Sequence, residues 1–254
     1  MKNFSCYTSG AVSALSGGLW RSVVLAIAAI LFLGPEALAQ KGQPAASLEQ
    51  IRNGSATSPV DPAQWQNGNA GSQTAHYVES HSIGYRAILT NLPTDGTIVV
   101  LTLGYDVRHS GKNAIDFLTY HDRLQPHGQF EVGGQHPAQE IVDPTIGFPL
   151  YRTAGTPSAA LAPTDQTLIP RPEVNSSGVP GIVWDKLTSA EKQMSIWGAN
   201  FTNIPNTTPA VEMRYVGAAN LSEKQSEQRI QVAFIPVNST AILAWGGHIA
   251  DRRD

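Results

Sequence analysis

Side chains that could do chemistry are concentrated in one stretch of the chain, YDVRHSGKNAIDFLTYHDR at residues 105–123. Its three aspartates, Asp106, Asp116 and Asp122, carry carboxylate oxygens, which calcium prefers as ligands. We predict no metal site, and these three residues are the candidates should calcium bind. The other candidate ligand-binding side chains of this stretch are His109, Lys112 and Arg123.

The same stretch also has a structural interpretation, which we favour over a binding site. A strand leaves the core, turns at Ser110-Gly111, and its charged side chains pair across neighbouring strands, as structural ion pairs do elsewhere. Lys112 and Asp116 are four residues apart, a spacing that keeps them on one side of a strand or a helix. We therefore expect Asp116 to stabilise the fold. The histidines are spaced too irregularly to predict a zinc site.

A second candidate site lies in the segment AWGGHIA near the C-terminus. Trp245 is a candidate for stacking on a sugar ring, Gly246 and Gly247 would let a ligand approach the backbone, and His248 is a further candidate ligand-binding residue. The alternative is a core tryptophan followed by a glycine bulge that bends the strand. We favour the core position, because a tryptophan on an apolar strand usually packs inside.

Familiar catalytic and nucleotide-binding motifs are absent from the sequence. It contains no G-x-S-x-G, no P-loop, no G-x-G-x-x-G before a helix, no H-E-x-x-H and no EF-hand spacing. We therefore expect a chain that is not an enzyme and that uses no cofactor. The alternative is a secreted polysaccharide hydrolase or lyase, which would need two carboxylates facing a cleft, such as Asp106 with Asp116 or Asp122.

Composition excludes several classes of protein. The chain has 254 residues, and its apolar fraction of 41% is sufficient for a core. The net charge of −3 argues against binding to nucleic acid or to an anionic membrane, because phosphates bind to cationic surfaces. One cysteine can form neither an internal disulfide nor a cysteine-rich zinc site.

Residues 1–39 have the pattern of a signal peptide. The apolar run Val23–Leu33 is followed by Gly34-Pro35 and by the small-residue pattern Ala37-Leu38-Ala39, which predicts cleavage before Gln40. The run is too short to cross a bilayer core of ~30 Å, so we expect no stable transmembrane anchor. The predicted destination is the periplasm, the cell surface or the extracellular medium.

The elements that must position these residues are mostly strands. Residues 40–75 lack periodicity, and we interpret them as a flexible lead-in with a short helix at Leu48–Arg52. Ile83–Leu89 alternates, and Thr97–Tyr105 is apolar enough for a strand buried on both faces, so the two predict a hairpin. Four more segments alternate and are predicted to be strands, at Met194–Ile204, Val211–Val216, Arg229–Val237 and Thr240–Ile249. In the third of these, Ile230, Val232 and Phe234 are predicted to face one way.

Between the two groups of strands, Gln125–Pro180 is rich in proline and glycine and predicts short strands or a surface excursion. Only Asp185–Gln193 resembles a helix. Residues 76–254 are thus predicted to form a single all-β domain, an antiparallel β-sandwich of the immunoglobulin-like or jelly-roll-like kind, with long loops and at most one short helix.

Two segments resemble a family of exported bacterial domains. In that family a strand runs into the motif SGK-x-A-x-D-[FY]-L-T, and a closing strand carries AWGGHIA. The matching residues are Ser110, Gly111, Lys112, Ala114, Asp116, Leu118, Thr119 and Trp245 to Ala250. The resemblance extends over most of the chain from about Trp65 onward.

This resemblance implies a β-sandwich module of the bacterial envelope or surface, often part of a large multi-domain surface protein. It assigns no activity and hence no catalytic residue. Together with the residues, it predicts an exported, non-catalytic module with a structural, adhesive or ligand-binding role. The expected partners are other envelope or surface proteins or glycans, and not nucleic acid.

Overall fold

The computed structural model describes residues 6–7, 42–55, 57–77, 79–123, 141–155, 158–172 and 183–251. Helical segments are short, a turn at 183–185 and 3-10 turns at Pro149–Tyr151 and Ala190–Lys192. The strands are β1 (Cys6–Tyr7), β2 (Ala45–Ser55), β3 (Ser58–Asn67), β4 (Ser82–Thr90), β5 (Val99–His109), β6 (Lys112–Asn113), β7 (Ile115–Thr119), β8 (Asp165–Leu168), β9 (Gln193–Trp197), β10 (Ala199–Phe201), β11 (Met213–Val216), β12 (Ser226–Pro236) and β13 (Ala241–Ile249).

These strands form two packed antiparallel sheets, so the predicted all-β sandwich is confirmed. Sheet A has the order β1-β5-β12-β10, with β6 paired to β5 and β11 paired to β12. Sheet B has the order β3-β2-β4-β13-β9-β8, with β7 also paired to β13. Strand β13 is therefore central in its sheet, with β4 on one side and both β7 and β9 on the other.

The main core fills the space between the two sheets. Alternate residues of each strand point inward, as the pleat of a strand requires. Sheet A contributes Leu103 and Phe234, among others, and sheet B contributes Leu89 and Leu243. Ile230, Val232 and Phe234 lie together on the inner face of β12, as their alternation predicted. Burying a side chain of this size stabilises the fold by ~1.5–3 kcal/mol.

The predicted flexible lead-in at 40–75 is wrong. Residues 45–67 form the hairpin β2–β3 in sheet B, and the expected helix at Leu48–Arg52 is part of a strand. Ile51 and Ala63 lie on the outer face of the sheet and are fully buried in a cluster with Val142. Too few apolar residues alternate here to reveal the strands, because only part of the hairpin is covered by the rest of the chain.

The predicted hairpin of the next two strands is also wrong. β4 pairs with β2 and β13 in sheet B, whereas β5 pairs with β12 in sheet A. The two strands face each other across the core, since both have an apolar face to bury. β5 alternates between buried and half-buried residues, so it is not buried on both faces as predicted.

The four strands predicted near the C-terminus are present close to their predicted positions, but the first of them is divided into two. The segment Met194–Ile204 breaks at Gly198, whose φ is +81°. β9 before the break joins sheet B, and β10 after it joins sheet A. The helix predicted at Asp185–Gln193 is reduced to the 3-10 turn at Ala190–Lys192 and the turn at 183–185.

An outer layer, formed by residues 120–123, 141–155 and 158–161, packs on the face of sheet B that points away from sheet A. Tyr151 contacts Trp197, Ile242 and Ala244 on this face. Residues 141–155 and 158–161 of this layer belong to the excursion predicted at Gln125–Pro180, which also supplies strand β8 of sheet B. Residues 124–140, 156–157 and 173–182 lie outside the described residues.

The predicted signal peptide and its cleavage point lie outside the described residues, apart from Cys6–Tyr7. These two form β1 and pair with Val100 and Leu101 of β5. None of the helical segments in the described ranges is long and apolar enough to cross a membrane.

Candidate functional site

The Ser-Gly-Lys segment forms the tight turn between β5 and β6. Ser110 has φ +54° and Gly111 has φ +79°, a left-handed pair that reverses the chain. The N–H of Gly111 donates to the carbonyl of Lys224 at 2.7 Å, and its carbonyl accepts from Arg108 at 2.5 Å. The predicted turn at Ser110-Gly111 is therefore present, with its backbone anchored by these hydrogen bonds, while the side chain of Lys112 is exposed.

Asp106 and His109 pair with each other at the end of β5. The His109 Nδ1 lies 3.3 Å from the Asp106 carboxylate, and 65% of the histidine side chain is exposed. Surface pairs of this kind contribute at most ~1 kcal/mol, because solvent screens them. Two of the predicted ligand-binding residues are thus paired with each other at the surface.

A polar cleft of about 710 Å³, which we call the Lys112 cleft, lies beside the turn. Its lining includes the cations Arg108 and Lys112 and the anions Glu79 and Asp251. Asp251 accepts a hydrogen bond from the hydroxyl of Ser80 at 3.3 Å. Positive and negative side chains are balanced here, so the cleft has no strong preference for an ion of one sign.

Asp116 and His248 form a second pair, which is buried. The His248 Nδ1 is 3.2 Å from the Asp116 carboxylate, and the two side chains are 2% and 6% exposed, respectively. The His248 ring stacks on Phe117 with centroids 4.2 Å apart. Within the part of the chain that the structure describes, the His248 Nε2 has no hydrogen-bond partner. The pair holds β7 to β13 at the bulge between Gly247 and Ile249 and is closed to a large substrate.

Trp245 belongs to the core between the sheets, so its predicted core position is confirmed. It is 6% exposed, and its ring stacks on Tyr85 with centroids 6.1 Å apart and planes at 20°. A side chain on Gly246 would collide with Thr119 and with the carbonyl of Tyr120. On Gly247 it would come within 3.0 Å of Tyr85. Close approach of neighbouring groups, and not a positive φ, excludes a side chain at Gly246 and crowds one at Gly247.

Arg123 and Asp122 line another cleft, on the outer face of sheet B beside β8 and β9. The cleft has a volume of about 480 Å³, and we call it the Gln193 cleft. Arg123 Nε lies 3.2 Å from the carboxylate of Glu191, and an Nη donates to the carbonyl of Ser80. The complete lining is Tyr120, Asp122, Arg123, Gln166, Ala190, Glu191 and Gln193.

Two carboxyl groups of the Gln193 cleft have opposite pKa shifts. Burial raises the pKa of Asp122 to about 6. A hydrogen bond from the backbone of Thr188 and the proximity of Arg123 lower the pKa of Glu191. A pair of acids with different protonation behaviour is a frequent feature of functional clefts.

His121 lies behind this cleft in the outer layer and is 4% exposed. Its ring contacts Trp197 edge-on, with centroids 6.0 Å apart. Burial lowers the pKa of His121 to about 3, so the imidazole is neutral at physiological pH. Its Nδ1 has no hydrogen-bond partner among the described residues.

Arg86 is the most important polar residue that the sequence did not reveal. It is 5% exposed on the outer face of β4 and binds Glu49 at 2.6 Å. It also donates to the carbonyls of residues 144 and 146 at 2.7 Å each. The guanidinium lies 4.7 Å from the ring of Trp65 and 5.3 Å from that of Phe148. Every one of these contacts is to the sheet or to the outer layer, so Arg86 is a clamp between them.

The three candidate calcium ligands have different neighbours: Asp106 pairs with His109, Asp116 with His248, and Asp122 lines the Gln193 cleft. In the described ranges, no three His, Cys, Asp or Glu side chains come together as a metal-binding group. The predicted sets Asp106–Asp116 and Asp106–Asp122 also share no described cleft. Glu191, Gln166 and Gln193 were missed, because β8 and β9 bring them beside residues 120–123 from distant parts of the sequence.

No protein-family model, curated protein or solved structure that we compared with this chain matches it.

Proposed function

We propose that this chain is an exported, non-catalytic β-sandwich module of the bacterial envelope or surface, with a structural, adhesive or ligand-binding role. The observation that carries the proposal is how the polar residues of the two sequence motifs are used. Asp106 pairs with His109, Asp116 is buried against His248, and the Ser-Gly-Lys turn is fixed by backbone hydrogen bonds. These groups maintain the fold, and among the described residues neither Asp106 with Asp116 nor Asp106 with Asp122 shares a cleft. The two carboxyls that do share one, Asp122 and Glu191, include one that is already engaged by Arg123 and by the backbone of Thr188.

The resemblance to exported bacterial domains and the pattern of residues 1–39 support the location. A hydrolase using Asp106 with Asp116 or Asp122 is the competing function. It requires both carboxyls to reach one substrate, and the burial of Asp116 at 6% exposure weighs against that.

Cell fractionation followed by mass spectrometry of the N-terminus tests this proposal. We expect the chain expressed in a bacterium to be recovered outside the inner membrane, beginning at Gln40. The variant Ala39→Arg removes the small residue that signal peptidases require at the cleavage point and should accumulate uncleaved. Intact wild-type chain retaining Met1 in the cytoplasm would contradict the proposal.

A further inference from the structure

We propose that the Gln193 cleft binds a neutral oligosaccharide. This inference deepens the proposed function, on which it rests, by assigning a ligand class to a module of the bacterial exterior. The cleft offers the three kinds of group that a sugar can use, namely planar amides, a carboxyl group and an aromatic ring.

The amides come from the outer face of sheet B. Gln166 on β8 and Gln193 on β9 lie on neighbouring paired strands, and both line the cleft. Gln166 donates to the hydroxyl of the fully buried Ser195 at 2.9 Å, which fixes the orientation of its amide group. Each amide carries both donors and an acceptor, as a sugar hydroxyl does, so the two can pair with neighbouring hydroxyls of one ring.

The opposite wall supplies the aromatic ring. Tyr120 is half-buried, and its ring packs on the imidazole of His121 with centroids 4.1 Å apart. Its backbone N–H donates to the carbonyl of Glu191 at 2.8 Å, which ties the two walls together. An aromatic side chain held in this way offers apolar contact area with little further loss of conformational freedom on binding. The C–H face of a pyranose is a suitable partner for such a ring.

The charges of the cleft favour a neutral ligand over a polyanion. The cation among its lining residues, Arg123, is already paired with Glu191 at 3.2 Å. The remaining carboxyl, Asp122, would repel anions when ionised. Because burial raises its pKa to about 6, a modest stabilisation of the protonated form would let it donate as well as accept a hydrogen bond.

The other openings fit a sugar less well. The slot between the sheets at Tyr85 and Trp245 has an accessible volume of about 10 Å³, which is room for one water molecule. The Lys112 cleft is larger, but its described lining contains no aromatic side chain. A third opening, of about 260 Å³, also has amides and a ring, but its ring, Tyr85, is 5% exposed and stacks on Trp245 in the core. Of the four openings, the Gln193 cleft is therefore the one that combines size, amides and a ring that is only half-buried.

The test is isothermal titration of the purified mature chain with cello-, chito-, manno- and xylo-oligosaccharides. We expect at least one of these probes to bind and Gln193→Ala to weaken it about tenfold or more, since an unpaired buried hydroxyl of the ligand replaces a hydrogen bond. Asp122→Ala should weaken it similarly. Gln231→Ala is the matched control, because Gln231 is a half-buried glutamine on the solvent face of sheet A.

Three results would overturn the inference: no binding of any probe, unchanged binding by both cleft variants, or an equal loss in Gln231→Ala. If Gln193→Ala does not fold, Gln166→Ala replaces it. Release of reducing ends from a bound probe would instead contradict the non-catalytic function and leave the sugar site standing, so the two proposals fail separately.

Discussion

The two faces of sheet B are buried by different kinds of contact. The inner face meets sheet A through apolar side chains such as Leu243 and Phe234. The outer face meets the outer layer through rings and through the polar contacts of Arg86 with the carbonyls of residues 144 and 146. The inner contact tolerates no polar group without a partner, whereas the outer contact depends on polar groups that satisfy one another. Sheet B is therefore held by apolar packing on its inner face and by specific polar contacts on its outer face.

The largest effect should come from the inner face. Trp245→Ala removes a ring that stacks on Tyr85 and leaves a cavity, which should cost ~3–5 kcal/mol in the free energy of unfolding. Urea denaturation followed by circular dichroism measures the loss. Leu168→Ala, at a position 59% exposed, is the control and should change stability little. A fully folded Trp245→Ala with an unchanged midpoint would remove Trp245 from the core.

A somewhat smaller loss is expected at the outer face. Arg86→Met keeps much of the side-chain volume but leaves the Glu49 carboxylate and two carbonyls without their donor. Breaking a buried pair in this way costs ~3–5 kcal/mol, and we expect about 3 here because Glu49 is 20% exposed. The double variant Arg86→Met with Glu49→Gln should recover part of this loss in urea denaturation. Equal stability of the single variant and wild type would show that Arg86 is not a clamp.

The two aspartates of the polar motif should behave differently. Asp116→Ala deprives the buried His248 of its hydrogen-bond partner and should cost ~1–3 kcal/mol. Asp106→Ala breaks an exposed pair and should cost no more than ~1 kcal/mol. Thermal melts of both variants at one pH give the comparison. A melting temperature unchanged by Asp116→Ala would contradict the structural assignment of that residue.

The outer layer should also make the stability of the fold depend on pH. His121 has a pKa of about 3 in the folded chain and an ordinary value of 6.5 when unfolded. Between these values the unfolded state binds a proton that the folded state does not, so stability falls as pH falls from 6.5 towards 3. The slope contributed is at most ~1.4 kcal/mol per pH unit. His121→Leu should lower the slope of the unfolding free energy against pH relative to wild type between pH 6.5 and about 5, and parallel curves would contradict burial of a neutral His121.

This contrast also explains what the sequence could predict. The inner face leaves a regular pattern, so β12 and β13 were located from alternation alone, and the core position of Trp245 followed from its apolar neighbours. The outer face leaves none: Arg86 sits at an ordinary polar position of an alternating strand, and nothing local shows that carbonyls at 144 and 146 cover it.

The same reason accounts for the two errors of topology. The hairpin β2–β3 buries Ile51 and Ala63 against segments distant in sequence, which a local pattern does not reveal. Strand β4 joins sheet B by pairing with β13, and β5 joins sheet A by pairing with β12. Both partners lie near the other end of the chain. Candidate sites were predicted where the polar residues are close in sequence. The Gln193 cleft, in contrast, is assembled from three separate segments.

Hydrogen–deuterium exchange of wild type and Arg86→Met tests most directly the claim that the outer layer is held by polar clamps and the inner core by apolar packing. Locally stabilised segments open independently of the global unfolding reaction. We predict that exchange accelerates first and most in peptides covering 141–155 of the variant, and least in those covering β5 and β12. Uniform acceleration in both regions, or no acceleration in either, would contradict the account.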